Sequence, residues 1–208
     1  RAQRRRRSLG ILGHQVHDRR HPERLLLRSA DPHDLRRGLV ALEAQWRDTF
    51  AIAAGLPEAA RQQQVDGEWS LVETLRHLIF AIDAWFLRAV LGEVRPYYPY
   101  GVVPAFMGDG AQLGLTMSAT PSFAEVAAVH AERLARVGAF LDTATTADLE
   151  RPRAANNDDG YPGTTTHRVL DCVQCVLEEE WWHHRYAVRD LAVLVSAVEA
   201  EAEAVEPA

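Results

Sequence analysis

Leu35, Leu39, Leu42, Trp46 and Phe50 follow one another at steps of four, three, four and four residues. That spacing returns an apolar side chain to the same face once per helical turn, which predicts an amphipathic helix over about 32–54. Asp31-Pro32-His33-Asp34 supplies its start: an N-cap acid, a proline where no backbone donor is needed, and an acid in the first turn. The pattern recurs. Leu71, Leu75, Leu78, Ile82, Trp85 and Ala89 predict a second helix over about 71–91, opened by the capping box Ser70-x-x-Glu73 and closed at Gly92. Phe123, Val126, His130, Leu134, Val137 and Leu141 predict a third, over about 121–143, behind Thr120-Pro121 and Ser122-x-x-Glu125. A fourth runs from about 166 to 199. Few segments alternate apolar and polar residues, so strand signals are absent. Four helices that each carry one apolar face bury those faces most economically against one another. The expected fold is all-α, a four-helix bundle with a long crossover between the second and third helices.

That crossover, residues 92–120, is rich in proline, glycine and aromatics and keeps no period. A connection of this length inside a compact unit is either a lid over a site or a plain link between helices that are not neighbours.

Composition narrows the class. The chain has 208 residues, is 47% hydrophobic and 25% charged, and has a mean hydropathy of -0.21, values ordinary for a globular protein. No apolar run approaches the length of a membrane span, and two cysteines make no disulfide framework. A cytoplasmic location is the simplest expectation. Lysine is absent, and the arginines are unevenly placed: residues 1–37 hold 11 of them against four acids, a net of +7, which leaves -13 for the rest of a chain whose total is -6. A basic arm can bind nucleic acid or an anionic surface. An acidic body argues against that role for the whole chain. The expected organisation is a basic, disordered arm at 1–30, the bundle at 31–199 and an acidic tail at 200–208. His14, His17 and His21 in the arm are spaced loosely enough to carry little weight.

The fourth helix holds the feature that asks for chemistry. Its inward row reads Val173, Leu177, Glu180, His184, Val188, Leu191 and Val195, so a carboxylate and an imidazole interrupt an apolar stripe. Burying the two together costs several kcal/mol unless they are paired or ligate a metal. His77 lies beside Leu78 at the edge of the second helix's stripe. His77, Glu180 and His184 would offer three ligands for Zn²⁺, Ni²⁺, Fe²⁺ or Mn²⁺ and leave positions open for water or substrate. Two alternatives stay open. Glu180 and His184 can form a buried ion pair with no metal, His77 being a hydrogen-bonded core residue. Or the ligands shift by one, to Glu179 and His183, which share the same i, i+4 spacing. The apolar count favours 180 and 184, because that row has no other polar member.

Two further groups rank lower. Cys172-x-x-Cys175 cannot join Glu179 and His183 on one ion, because 172 and 183 are roughly 16 Å apart along a helix. The pair also lacks the strand-to-helix context of a redox motif, and reads as small buried residues. His130 points inward and would reach a metal only from across the bundle. A lone histidine in a core stripe is more often structural.

The runs W-S-L-V-E-T-L-R-H-L (69–78), A-x-D-A-W (81–85) and E-E-x-W-W-H-H-R-Y-A-V-R-D-L near the end resemble the DinB-like bundle superfamily, over roughly residues 35–195. The resemblance implies a four-helix protein with one long crossover and a metal triad formed by a histidine on the second helix and an H-x-x-x-H pair on the fourth. Carried over, the ligands fall on His77, Glu180 and His184. Glutamate replaces the middle histidine, as in branches that resemble mycothiol-dependent isomerases. It implies a divalent metal, zinc first, with a low-molecular-weight thiol such as mycothiol or bacillithiol as co-substrate. The implied activity is thiol S-transfer or isomerisation in detoxification, with a small-molecule electrophile as the other substrate. Arg185 or Arg189 would orient a carboxylate, and Tyr97, Tyr98 and Tyr100 would roof the pocket. Of Trp181 and Trp182, one would pack on a neighbouring helix and the other at a homodimer interface. The alternative is a non-catalytic metal-binding bundle that serves in stress response or partner binding.

Overall fold

The computed structural model describes residues 22–154, 160–163 and 166–205. Within them the chain is helical, with no strand and one isolated bridge, Pro152 to Arg168. The elements are α1 (Pro22–Leu26), α2 (Pro32–Ala54), α3 (Glu58–Arg61), α4 (Leu71–Ile82), α5 (Phe123–Leu141), α6 (Thr146–Glu150) and α7 (Val169–Val205). Among the described residues α2, α4, α5 and α7 are the long helices. Both α2 and α4 pack against α5 and against α7, which closes a ring of four around one core.

The helix starts are those that the sequence encodes. The Asp31 side chain accepts from His33 N–H at 2.8 Å. Ser70 and Glu73 exchange both bonds of a capping box at the head of α4, and the Ser122 hydroxyl accepts from Glu125 N–H at α5. Every predicted core position on α5 is buried, from Phe123 to Leu141. On α7 the stripe drifts: Val188 is 45% exposed, and Ala187 and Leu194 are buried in its place. Over 37 residues the 3.6-residue period departs from any fixed alternation of threes and fours.

Two ends differ from expectation. Residues 22–30 are not loose arm: α1 lies there, Leu27 is 1% exposed, and its Cδ2 would stand 2.5 Å from any Cβ added at Gly38. Only glycine at 38 lets α1 and the following turn approach α2 that closely. At the other end α7 continues through 200 to Val205. His14, His17 and His21 lie outside the described residues, as does most of the basic arm.

α4 does not stop at Ile82 but continues as a π-helical turn, Asp83–Arg88, and closes at Gly92 in the left-handed region with φ +77°. Asp83, which is fully buried, accepts from the backbone N–H of Tyr98 at 2.7 Å and from Nε of Arg133 on α5 at 2.7 Å. The crossover is thereby tied to two helices. Arg76 ties it again, donating from Nε to the Tyr100 carbonyl at 2.5 Å and from a terminal nitrogen to the Met117 carbonyl at 2.7 Å. A second small core of Phe80, Ala84, Tyr97, Val103, Leu113 and Leu115 forms under it. No helix among the described residues is long and apolar enough to cross a membrane.

Candidate metal centre

Three successive glutamates on α7 face three different partners, because neighbouring helical residues point about 100° apart. Glu178 accepts from Arg24 at 3.2 Å and from Arg28 at 2.6 Å, which clasps α1 and the turn after it to the bundle. Glu179 faces α4 and Glu180 faces the centre.

Glu180 is completely buried. Its Oε2 accepts from the Trp46 indole N–H at 2.7 Å, and its two oxygens lie 2.9 and 3.1 Å from Nε2 of His130. His184, one turn on, places Nε2 2.9 Å from the Thr49 hydroxyl. Thr49 already gives its single proton to the Gln45 carbonyl, so its oxygen is left to accept from His184 Nε2–H. Burial disfavours the imidazolium and pushes the His184 pKa down. The Trp46 ring meets the rings of His130 and His184 edge-on, at 5.5 and 4.8 Å. Glu180 and His184 are thus both buried, as the stripe predicts, but they do not make the expected ion pair: Glu180 bonds Trp46 and His130, and His184 bonds Thr49. Neither is brought to His77.

His77 meets the neighbouring row. Its Nε2 lies 3.5 Å from Oε2 of Glu179, which lies 3.2 Å from Nε2 of His183. One donor atom from each of His77, Glu179 and His183 falls within 4.8 Å of the other two. The donors that converge with His77 are therefore one residue earlier than those the apolar count favours. That count finds the driest row, whereas a group that must meet a solute belongs at the core's edge. The side chains of Glu179 and His183 are 25% and 17% exposed, against 0% for Glu180.

The site has the parts that a divalent ion needs. Two imidazole nitrogens and a carboxylate oxygen suit zinc and its neighbours, and three protein ligands leave coordination open. His77 Nδ1 lies 3.0 Å from the Val102 carbonyl on the crossover. A carbonyl only accepts, so Nδ1 carries the proton and Nε2 presents its lone pair to the triad. Burial raises the Glu179 pKa, but the imidazoles beside it, with His183 Nε2 at 3.2 Å, outweigh that and hold the carboxyl at about 2, ionised at neutral pH.

Trp69, just before the α4 cap, covers both imidazoles, with centroids 4.6 Å from His77 and 5.9 Å from His183. Tyr186 meets His183 edge-on at 5.8 Å. Both rings lie within the runs that carry the family resemblance, but the sequence reading gave neither a role at the site. Two of the three tyrosines expected to roof the pocket are engaged elsewhere: Tyr97 is buried in the second core, and the Tyr98 hydroxyl bonds Glu125. Arg189 is paired with Asp190 at 2.6 Å, and the Arg185 guanidinium lies over the Trp181 ring at 4.7 Å. Trp181 is buried, and Trp182 is partly exposed, stacked with Tyr186 under Arg24. Cys172 is buried and Cys175 nearly so. Burial pushes the Cys172 thiol up to about 12 and raises that of Cys175, with Glu179 adding to the latter. Neither is poised as a thiolate. Two clefts, of about 460 and 540 Å³, lie away from the triad, beside Arg36 and beside Arg76. Their charged groups are engaged in caps, ion pairs or, for Arg76, bonds to crossover carbonyls, so the triad remains the better candidate.

No curated protein and no solved structure matches the chain. A family model does match, over residues 41–187, a span that contains all three donors, the whole of α4 and the first half of α7. The chain belongs to the DinB superfamily.

Proposed function

We propose that the chain is a divalent-metal-dependent thiol S-transferase or isomerase that uses a low-molecular-weight thiol such as mycothiol, with His77, Glu179 and His183 as the ligands. The observation that carries this reading is the convergence of three donors from α4 and α7 at a partly exposed edge of an otherwise dry bundle. A divalent ion there would supply Lewis acidity, lowering the pKa of a thiol that coordinates it so that thiolate forms at neutral pH. The chain's own groups hold and orient. Glu179 contributes the one full negative charge and so favours a dication over a neutral occupant. The Val102 carbonyl keeps His77 in the tautomer that leaves Nε2 free. Trp69 shields the imidazoles from bulk water on one side. The own thiols of the chain stay protonated, which leaves the nucleophile's part to an external thiol.

Metal analysis of protein purified without chelators tests the first half, with about one equivalent of divalent metal expected in the wild type. It should be lost in His183→Ala and kept in His184→Ala. Metal-dependent transfer of a small thiol to an electrophile such as chlorodinitrobenzene tests the second half. Stoichiometric metal with no turnover for any small thiol would favour the non-catalytic bundle.

A further inference from the structure

Aromatic rings continue away from His77 in both chain directions. Before it, Trp69 lies over His77 and is nearly parallel to His183, at 21°. After it, Phe80 stands one turn further along α4 and stacks on Tyr161 at 6.0 Å and 21°. The Phe106 ring reaches Tyr161 at 6.4 Å. Tyr161 is held in place before any ligand arrives: the Tyr97 hydroxyl donates to its carbonyl and accepts from its N–H, both at 2.8 Å. Burial raises the Tyr161 phenol pKa. Phe106 is 74% exposed, and Tyr161 and Trp69 are partly exposed.

Single apolar side chains at a surface are ordinary, but a pinned set of rings that begins at a metal-donor cluster and ends in solvent has the make-up of a ligand wall. The geometry points to a substrate with a metal-ligating head on a flat, apolar body, aromatic or conjugated, laid against Trp69 and the Tyr161–Phe106 surface. This rests on the metal reading above. A flat body gains from burial and from offset or edge contact with the rings, whereas a small polar ligand gains only the coordination.

Cobalt-loaded protein separates the two readings, because its visible bands report coordination without any turnover. Titrated with imidazole and with 4-phenylimidazole, whose phenyl group does not raise its basicity, it should bind the phenyl compound about tenfold tighter or more. Phe106→Ala, at an exposed position, should lose part of that preference. Tyr161→Ala should lose most of it, with the cobalt bands retained in both. Equal affinity for the two ligands, with the bands intact, would overturn this inference and leave the metal centre standing. A folded protein that never acquires the bands would overturn the metal centre, and the inference with it.

Discussion

Glu179 and Glu180 are adjacent, yet Oε2 of Glu179 lies 3.5 Å from His77 Nε2 on α4, while Oε2 of Glu180 accepts the Trp46 indole N–H on α2 at 2.7 Å. Substitution should separate their roles. Glu179→Gln removes the charged donor from a partly exposed site, and is expected to abolish stoichiometric metal while moving the unfolding midpoint little. Glu180→Ala strands the Trp46 N–H and the His130 imidazole in the core, and should cost about 2–4 kcal/mol with metal retained. Urea unfolding and elemental analysis of both variants decide this. The opposite pattern would return the ligands to Glu180 and His184.

Arg76 is buried and bonds two carbonyls 17 residues apart on the crossover, Tyr100 and Met117, while its own carbonyl accepts from Val102 N–H at 3.3 Å. The next residue on α4, His77, bonds the Val102 carbonyl. Loosening the crossover should therefore be felt at the triad. Arg76→Met is expected to destabilise by about 1–3 kcal/mol, from two stranded carbonyls and a lost charge-assisted donor. It should also weaken metal affinity about tenfold, as the loss of a ligand's outer hydrogen bond does. Metal competition with a chromophoric chelator reads the second effect. An unchanged affinity in a destabilised protein would mean that Val102 stays on His77 without help.

Much of this was legible in the residues themselves. Ser70-x-x-Glu73 forms the capping box that it spells, and the row from Phe123 to Leu141 is buried throughout, because caps and periodicity are local and depend on little else. His77 was legible as a candidate donor, and Glu180 and His184 as polar residues in the buried row. What one helix cannot say is which neighbour each of its rows meets. That depends on how α7 is rotated against α4 and α2, and a rotation of one residue exchanges Glu179 for Glu180. The place of Tyr161 was beyond reach for a similar reason: it sits on a loop whose path is set by tertiary bonds, such as that from the Tyr97 hydroxyl to the Tyr161 carbonyl.

Cys175 lies one turn before Glu179 on the same row of α7, with its thiol raised by burial first and by that carboxylate second. It should resist iodoacetamide at neutral pH in the folded protein and react readily in urea, since only the thiolate attacks. Mass spectrometry after a timed pulse measures this. Rapid native labelling of Cys175 would show an exposed, activated thiol, and would put an internal nucleophile back among the candidates for the reaction.

Asp83 is expected to make the joint between α4, α5 and the crossover sensitive to pH. Burial raises its pKa from 3.8 to about 6, against the opposing pull of Arg133 and the Tyr98 N–H. An acid with a raised folded pKa binds its proton more tightly in the native state than in the unfolded one. Its contribution is thus most favourable at low pH and is lost as the pH rises through the window from about 4 to about 6. Above that window the buried carboxylate is ionised, and its desolvation counts against the fold. Measured as the difference in unfolding free energy between wild type and Asp83→Asn, the wild type should lose on the order of 2 kcal/mol across that window and stay level above it. The asparagine keeps an acceptor for Tyr98 N–H and cannot titrate, so the difference isolates this one group. A difference that stays flat, or that moves in the wild type's favour as the pH rises, would mean that Arg133, at 2.7 Å, keeps the carboxylate ionised and makes the joint an ordinary buried ion pair.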